Sequence, residues 1–241
     1  MKILTINISL NVIKYVFYGK ESDMNKVFLN GKAINDYSKL RQYRLTLSGD
    51  NNILKLNDFK GHAIVYISID GDNSFFEIGK GNIINNDLSI NYWNTADQRV
   101  NNSSIIIGND NFFNGSNNVI ISPLHTKVLI GDDNLFAGSI VIWGRNDHIV
   151  YDINTRQRLN FDKDIFIGDK NWIGQNTTFL PGGLVSSNSV VGYGSLINKR
   201  FIKNNVLIAG VPAEIKREEI NWSRASSYSH IDFENNLNIF N

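Results

Sequence analysis

From Ile167 onward an apolar side chain recurs every sixth residue, at Ile167, Ile173, Phe179, Val185, Val191 and Ile197. Glycine follows at 168, 174 and 192. A helix face repeats near 3.6 residues and a half-buried strand alternates by two, so a beat of six fits neither. It fits very short strands joined by tight turns, each strand turning one apolar side chain inward. Three sixes close a triangular coil of about 18 residues, and stacked coils pair through backbone hydrogen bonds about 4.8 Å apart. Glycine and asparagine supply the positive-φ corners that other residues resist. The pattern predicts an all-β chain, a parallel β-helix in which each coil touches only its neighbours.

Four earlier and later segments share one signature: "IGKGNII" from Ile78, "IGNDNFF" from Ile107, "IGDDNLF" from Ile130 and "IGDKNWI" from Ile167. A related signal, glycine–polar–polar–asparagine or serine before apolar residues, starts at Gly49, Gly71 and Gly115. The intervals between the four copies are 29, 23 and 37 residues. Against a coil of about 18 they read as one coil each, with insertions of about 11, 5 and 19 residues. Continuing the beat from Ile130 through the longest interval would place His148, Asn154 and Asn160 in the core, which their polarity forbids. The residues 143–164 therefore form an external loop, and long loops without structure of their own are usually functional.

The ends lack the beat. Residues 1–45 read as a capping segment of short strands, turns and a short helix near "NDYSKLRQYRLTL" that covers the open top of the stack. Residues 46–200 form the β-helix. In 201–241, Pro212 and the run "AEIKREEINW" predict a short C-terminal helix. The last residues, from "SRASSYSHID" on, read as weakly ordered or packed on a neighbour.

Composition narrows the function classes. The formal net charge of +1 gives no argument for nucleic acid as a partner. The chain has no cysteine, which excludes disulfides and thiolate chemistry. No apolar run reaches the ~18 residues a bilayer span needs, and the start makes a poor signal peptide, so a cytoplasmic protein is expected. There are four histidines, His62, His125, His148 and His230, and His148 stands on the long loop.

The hexads, "NDHIVYDINTRQRLN", "IGDKNWIG", "GYGSLINK" and "AGVPAEIKR" together resemble the left-handed β-helix acyltransferases with hexapeptide repeats. Within these the chain is most similar to bacterial O-acetyltransferases of capsular and other surface polysaccharides, the polysialic acid type included. The match runs from about Gly115 to Lys216. His148, Tyr151, Asp152, Asn154, Thr155, Arg158 and Asn160 fall on the family's loop pattern, and Trp172 on its tryptophan after the loop. Asn146 stands where the family usually has aspartate, and Asp147 where glycine is common.

The resemblance implies transfer of acetyl from acetyl-CoA to a sugar hydroxyl, without a covalent enzyme intermediate and without a metal. A hydroxyl is a poor nucleophile until its proton is taken, and histidine is suited to take it near neutral pH. His148 is the expected base and Trp172 its companion in the catalytic slot. Asp147 or Asp152 could hold the second imidazole nitrogen, or Asn146 through its amide oxygen; Asp152 could instead turn the loop. The family places coenzyme A along the groove between neighbouring stacks. The matching positions are Trp172, Gly174, Gly192, Gly194, Ser195, Lys199 and Pro212, with Arg145 on the loop side. Lys199, Arg200 and Lys203 form a basic cluster suited to phosphates. Arg156, Arg158 and Tyr151 are placed toward the acceptor. A homotrimer with sites at its seams, and association with capsule-synthesis machinery, are implied in the same way.

Three other readings stay open. An N-acetyltransferase of a nucleotide-linked amino sugar would use the same base. A zinc-dependent β-helix enzyme needs three histidines per metal, and only His125 and His148 lie near one coil apart. A non-catalytic β-helix would bind without turnover.

Overall fold

The computed structural model describes residues 25–95, 98–121 and 124–227. They form a left-handed parallel β-helix whose coils run over three sheets, named here faces 1, 2 and 3. One coil passes along face 1 at Ile165–Ile167, face 2 at Trp172–Ile173 and face 3 at Thr178–Phe179, then returns to face 1 at Leu184–Val185. Each strand pairs in parallel with the strands one coil before and after. Ile107 is in register with Ile78 and Ile130, and Ile130 with Ile167. The three unequal intervals are thus single coils with insertions.

One inward residue per short strand builds the core. Ile167, Ile173, Phe179, Val185, Val191 and Ile197 are all buried. Identical positions stack on one another, so aromatic residues meet their own kind: Phe113 and Phe136 lie parallel with ring centroids 4.6 Å apart. Such a pair adds about 0.5–1.5 kcal/mol to the burial of its area.

The repeated "IG–polar–polar–N" signature is explained at the corner between faces 1 and 2. Asn82, Asn111, Asn134 and Asn171 are fully buried there. From Asn111 on, the backbone N–H donates to the amide oxygen one coil back: Asn111 to Asn82 at 2.9 Å, Asn134 to Asn111 at 2.9 Å, Asn171 to Asn134 at 2.8 Å. Ser189 continues the run by donating to Asn171 at 2.8 Å. A second ladder on the rim runs the opposite way. The N–H of Lys80 donates to Asn109, Asn109 to Asp132, Asp132 to Asp169, and Asp169 to the Ser187 hydroxyl. Between the two ladders stands a residue with left-handed backbone: Asp110, Asp133, Lys170, Asn188 and Asn205 have φ of 53–59°. A tight corner strands backbone N–H groups, and an unsatisfied buried donor costs about 1–3 kcal/mol. The polar residues of the repeat remove that cost for the backbone, while the buried amide nitrogens of Asn134 and Asn171 are left without a partner among the described residues.

Two expectations at the ends are corrected. Among the described residues the stack already includes Lys26–Leu29, well before residue 46, because that strand pairs in parallel with Ile53–Leu56; residues 1–24 of the expected capping segment lie outside the described residues. A hairpin partner at Lys32–Ala33 and a 3-10 turn at Tyr37–Lys39 complete the top, the latter where a short helix was expected. At the other end the expected C-terminal helix is not found among the described residues. Ala213–Arg217 is a strand that folds back antiparallel on Leu207–Gly210, with Val211 and Pro212 in the turn between them. The composition of "AEIKREE" favours a helix, but an uncovered last strand of face 2 would leave an open edge. The hairpin covers it and buries Ala213. Of the last segment, Arg224 lies on this chain's own corner, where it donates to the Asp133 carboxylate at 2.7 Å; residues 228–241 lie outside the described residues.

The ladder makes a direct prediction. Asn111→Ala leaves the Asn134 N–H and the Gly131 carbonyl without their buried partner. It should lower the unfolding free energy by about 1–3 kcal/mol. Asn114→Ala, at an exposed position, should change it by less than about 0.5 kcal/mol. Denaturant titration of both variants measures the difference; equal effects would contradict the ladder's role.

Candidate functional site

All three insertions leave the prism at one corner, the passage from face 3 to face 1. They follow Leu88–Tyr92, Asn117–Ile121 and Ile140–Trp143. A solenoid tolerates insertions there because the strands on either side keep their register. The corner therefore carries three stacked protrusions, of which the longest, 144–164, holds His148.

The loop is tied at its root by a buried cation. Arg145 is only 6% exposed. Its guanidinium pairs with Asp147 at 2.6 Å and donates to the Trp93 carbonyl at 3.1 Å. Trp93 follows the Leu88–Tyr92 strand, so Arg145 bolts the long loop to an earlier insertion. Beside it the Asn146 N–H donates to Asp162 at 2.6 Å, and the Asn146 amide donates to Phe161 O and Asp162. The two ends of the loop are thus clasped together.

Beyond the root, Asn160 brackets the histidine. It donates to the His148 carbonyl at 2.6 Å and accepts the Val150 N–H at 2.7 Å. The tip is a turn built on Asp152, whose carboxylate accepts the N–H groups of Thr155 and Asn154 at 2.7 and 2.9 Å. The Thr155 N–H bond is the largest of the contacts that hold this carboxyl below its ordinary pKa. Tyr151 and Arg158 face each other in an antiparallel bridge. The Arg158 Nε donates to Asn160 O at 2.8 Å, with its guanidinium over the Phe161 ring. Arg156 sits exposed in the turn at φ +58°.

These contacts redistribute the expected roles. His148 is exposed, and among the described residues no group hydrogen-bonds its imidazole. Asp147 is engaged by Arg145, Asn146 by the loop's far end, and Asp152 by its own turn. None of the three orients His148 within this chain. Arg145, expected near the acyl donor, is instead the buried bolt of the loop. Asn160 and Trp93 were missed as supports; Asn160 was at least visible as part of the loop motif.

The other expected residues lie elsewhere on the prism. Trp172 is on face 2, 43% exposed, in register with Leu135 and Val190. Gly174, Gly192, Gly194 and Ser195 lie at the corner between faces 2 and 3. A side chain at Gly174 would start 2.6 Å from the Val191 carbonyl, so that glycine is required by the close approach of the next coil. The Ser195 hydroxyl is buried and donates to Gly192 O at 2.7 Å. Gly194, at φ +68°, has open space where a side chain would begin. Lys199 pairs with Glu214 at 2.7 Å and Lys203 with Glu218, while Arg200 lies over the Phe166 ring. The Lys199 bond is also what holds the Glu214 carboxyl below its ordinary pKa. Two of the three cations in the basic cluster are therefore neutralised within the chain. Pro212 is exposed in the hairpin turn. His62 and His125 are exposed, His125 at the same corner as the loop root; His230 lies outside the described residues.

No protein-family profile matches the chain. It is 39% identical over 70 residues to a galactoside O-acetyltransferase of Lactococcus lactis, covering 29% of this chain and 33% of that protein. It is 36% identical over 93 residues to a polysialic acid O-acetyltransferase of Neisseria meningitidis, covering 39% of this chain and 43% of that protein. The chain thus spans a third to under half of these relatives. Among solved structures it is similar to the polySia-specific acetyltransferase NeuO, with a TM-score of 0.66 and 26% identity over 88% of both chains. The resemblance is met in sequence relatives and in fold alike. Among the described residues, no helix is long and apolar enough to cross a membrane.

The bolt can be tested directly. Arg145→Met removes the partner of Asp147 and strands the Trp93 carbonyl. With Asp147 half-exposed, the cost should be about 1–3 kcal/mol. Faster amide hydrogen exchange should be confined to the loop and to the Trp93 insertion. Exchange spread over the whole stack, or no change, would contradict the assignment.

Proposed function

We propose that this chain, similar throughout its described frame to the left-handed β-helix acyltransferases, is an O-acetyltransferase that uses acetyl-CoA to acetylate a hydroxyl of a bacterial surface polysaccharide. The observation that carries the reading is His148. Its backbone is clasped by Asn160 at the prism's edge, and its imidazole is exposed and left without a competing hydrogen bond among the described residues.

The chemistry asks little of the protein. The donor supplies an activated acyl group; attack by the sugar oxygen forms an ester and releases the coenzyme thiol. His148 takes the hydroxyl proton and returns it to the leaving sulfur. Trp172 lines the slot beside the thioester. The open space at Gly194 leaves room for the donor's arm along the 2–3 corner. Lys199 and Lys203 would contribute to phosphate binding only by exchanging their carboxylate partners. An acyl donor of the cytosol agrees with a cytoplasmic setting. Arg156, Tyr151 and the apolar tip of the loop are the groups offered to the acceptor, and an acidic polymer such as polysialic acid suits an exposed arginine.

The two catalytic candidates lie on different sides of the prism. His148 is three residues beyond the anchored Arg145, so it lies within roughly 11 Å of the 3–1 corner. Trp172 is on face 2, opposite that corner. A site that uses both draws them from two copies of the chain, which supports a closed, three-fold assembly with sites at its seams. The exposed apolar side chains of the loop, Ile149, Val150, Ile153, Leu159 and Phe161, fit burial in such a seam.

His148→Ala should lower transfer by about 10²–10⁴-fold while the melting temperature stays unchanged; undiminished turnover would sink the reading. Mixing the His148→Ala and Trp172→Ala proteins after partial unfolding and reassembly should restore activity neither has alone, because some seams then hold both intact groups. No recovery in verified mixed assemblies would show that each chain carries a whole site.

A further inference from the structure

The last described segment runs against the direction of stacking. At the bottom the Ile220 N–H donates to Asn205 O at 2.9 Å, and the Asn205 amide donates to Ile220 O at 3.1 Å. Higher up, the Trp222 indole N–H donates to Lys170 O at 2.8 Å. Higher still, the Arg224 guanidinium donates to the Asp133 carboxylate at 2.7 Å and to Asp133 O at 3.2 Å. Asn205, Lys170 and Asp133 are all left-handed corner residues of the 1–2 edge. Each contact falls on a different coil. The segment is a strap laced to a repeating row of corners.

The strap brings Trp222 to Trp172. Their ring centroids are 6.3 Å apart with planes tilted by 42°. Trp172 is two residues from Lys170, so the bond that fixes the Trp222 indole also fixes its distance from Trp172. An exposed indole on a flat strand of face 2 is otherwise free to choose among rotamers.

We propose that residues 220–225 are a positioning strap for the site, and that Trp222 is a positioning residue that holds the Trp172 indole in the orientation that receives the acyl donor. The inference rests on the acyl-transfer reading. Trp222 does not touch the reacting atoms; it acts through Trp172. Arg224 clamps the strap a coil away from Trp172, at Asp133.

The test uses Trp222→Ala, Trp222→Phe and Arg224→Ala in the full chain, with acetyl-CoA and an acceptor that the parent protein acetylates. Trp222→Ala should raise KM for acetyl-CoA about 3–10-fold, the scale of one lost aromatic contact, with kcat little changed. Trp222→Phe should recover most of the loss. Arg224→Ala should shift KM in the same direction, which keeps the test alive if Trp222→Ala fails to fold. The far-ultraviolet exciton signal of a tryptophan pair should vanish equally in Trp222→Ala and Trp172→Ala. Unchanged kinetics in both strap variants would overturn the proposal while leaving acyl transfer intact, and so would an exciton signal that survives Trp222→Ala. A parent protein that transfers acetyl to nothing would overturn the functional reading and the strap's role with it.

Discussion

The structure depends on satisfying the backbone at the 1–2 corner. A triangular coil of such short strands turns its chain sharply three times, and each turn strands amide groups where no water reaches. At this corner two side-chain ladders meet the need, one of buried asparagines and one of rim carboxylates and amides running the other way. Each rung is set by the coils above and below. The ladder therefore fixes the stacking register as well as the turn, and the hydrophobic columns inside follow from it.

That constraint explains where the chain could become functional. The 1–2 corner is closed by its ladders and is interrupted nowhere between Ile78 and Val206. All three long insertions leave at the 3–1 corner, where the first coils carry a ladder of the same kind, the Asn52 N–H donating to Asn25 and the Ser74 N–H to Asn52, and where the Lys127 N–H donates across the longest insertion to Asp164. The loop at 144–164 is held by its own contacts: Arg145 on Asp147 and Trp93, Asn146 on Asp162, Asn160 across His148 and Val150. The strap is the counterpart on the far side. It uses the regular row of corner carbonyls and carboxylates as docking points, and so places Trp222 on face 2 beside Trp172.

Much of this was legible in the sequence because the fold writes one core residue and one special corner residue into every repeat. The six-residue beat located the core, and the intervals of 29, 23 and 37 located the insertions. What was not legible depended on pairing between distant or competing groups. "AEIKREE" has helical composition, yet it forms a strand because the last edge of face 2 needs a partner. Asp147 beside His148 looked like an orienting carboxylate, but Arg145, two residues away, takes it. Lys199 and Lys203 looked like a phosphate site, and the hairpin that replaced the helix brings Glu214 and Glu218 to them. In each case the residue was visible and its partner was not.

The central claim is that an exposed histidine on this frame takes the proton of a sugar hydroxyl as that oxygen accepts acetyl from acetyl-CoA. The most direct measurement is coenzyme A release from acetyl-CoA across a panel of surface glycans, polymers of sialic acid included, with mass analysis of the glycan. The account predicts acceptor-dependent release and an ester-linked acetyl on the sugar, removed by mild base. Release no faster than donor hydrolysis with every glycan, or acetyl recovered only as an amide, would contradict it.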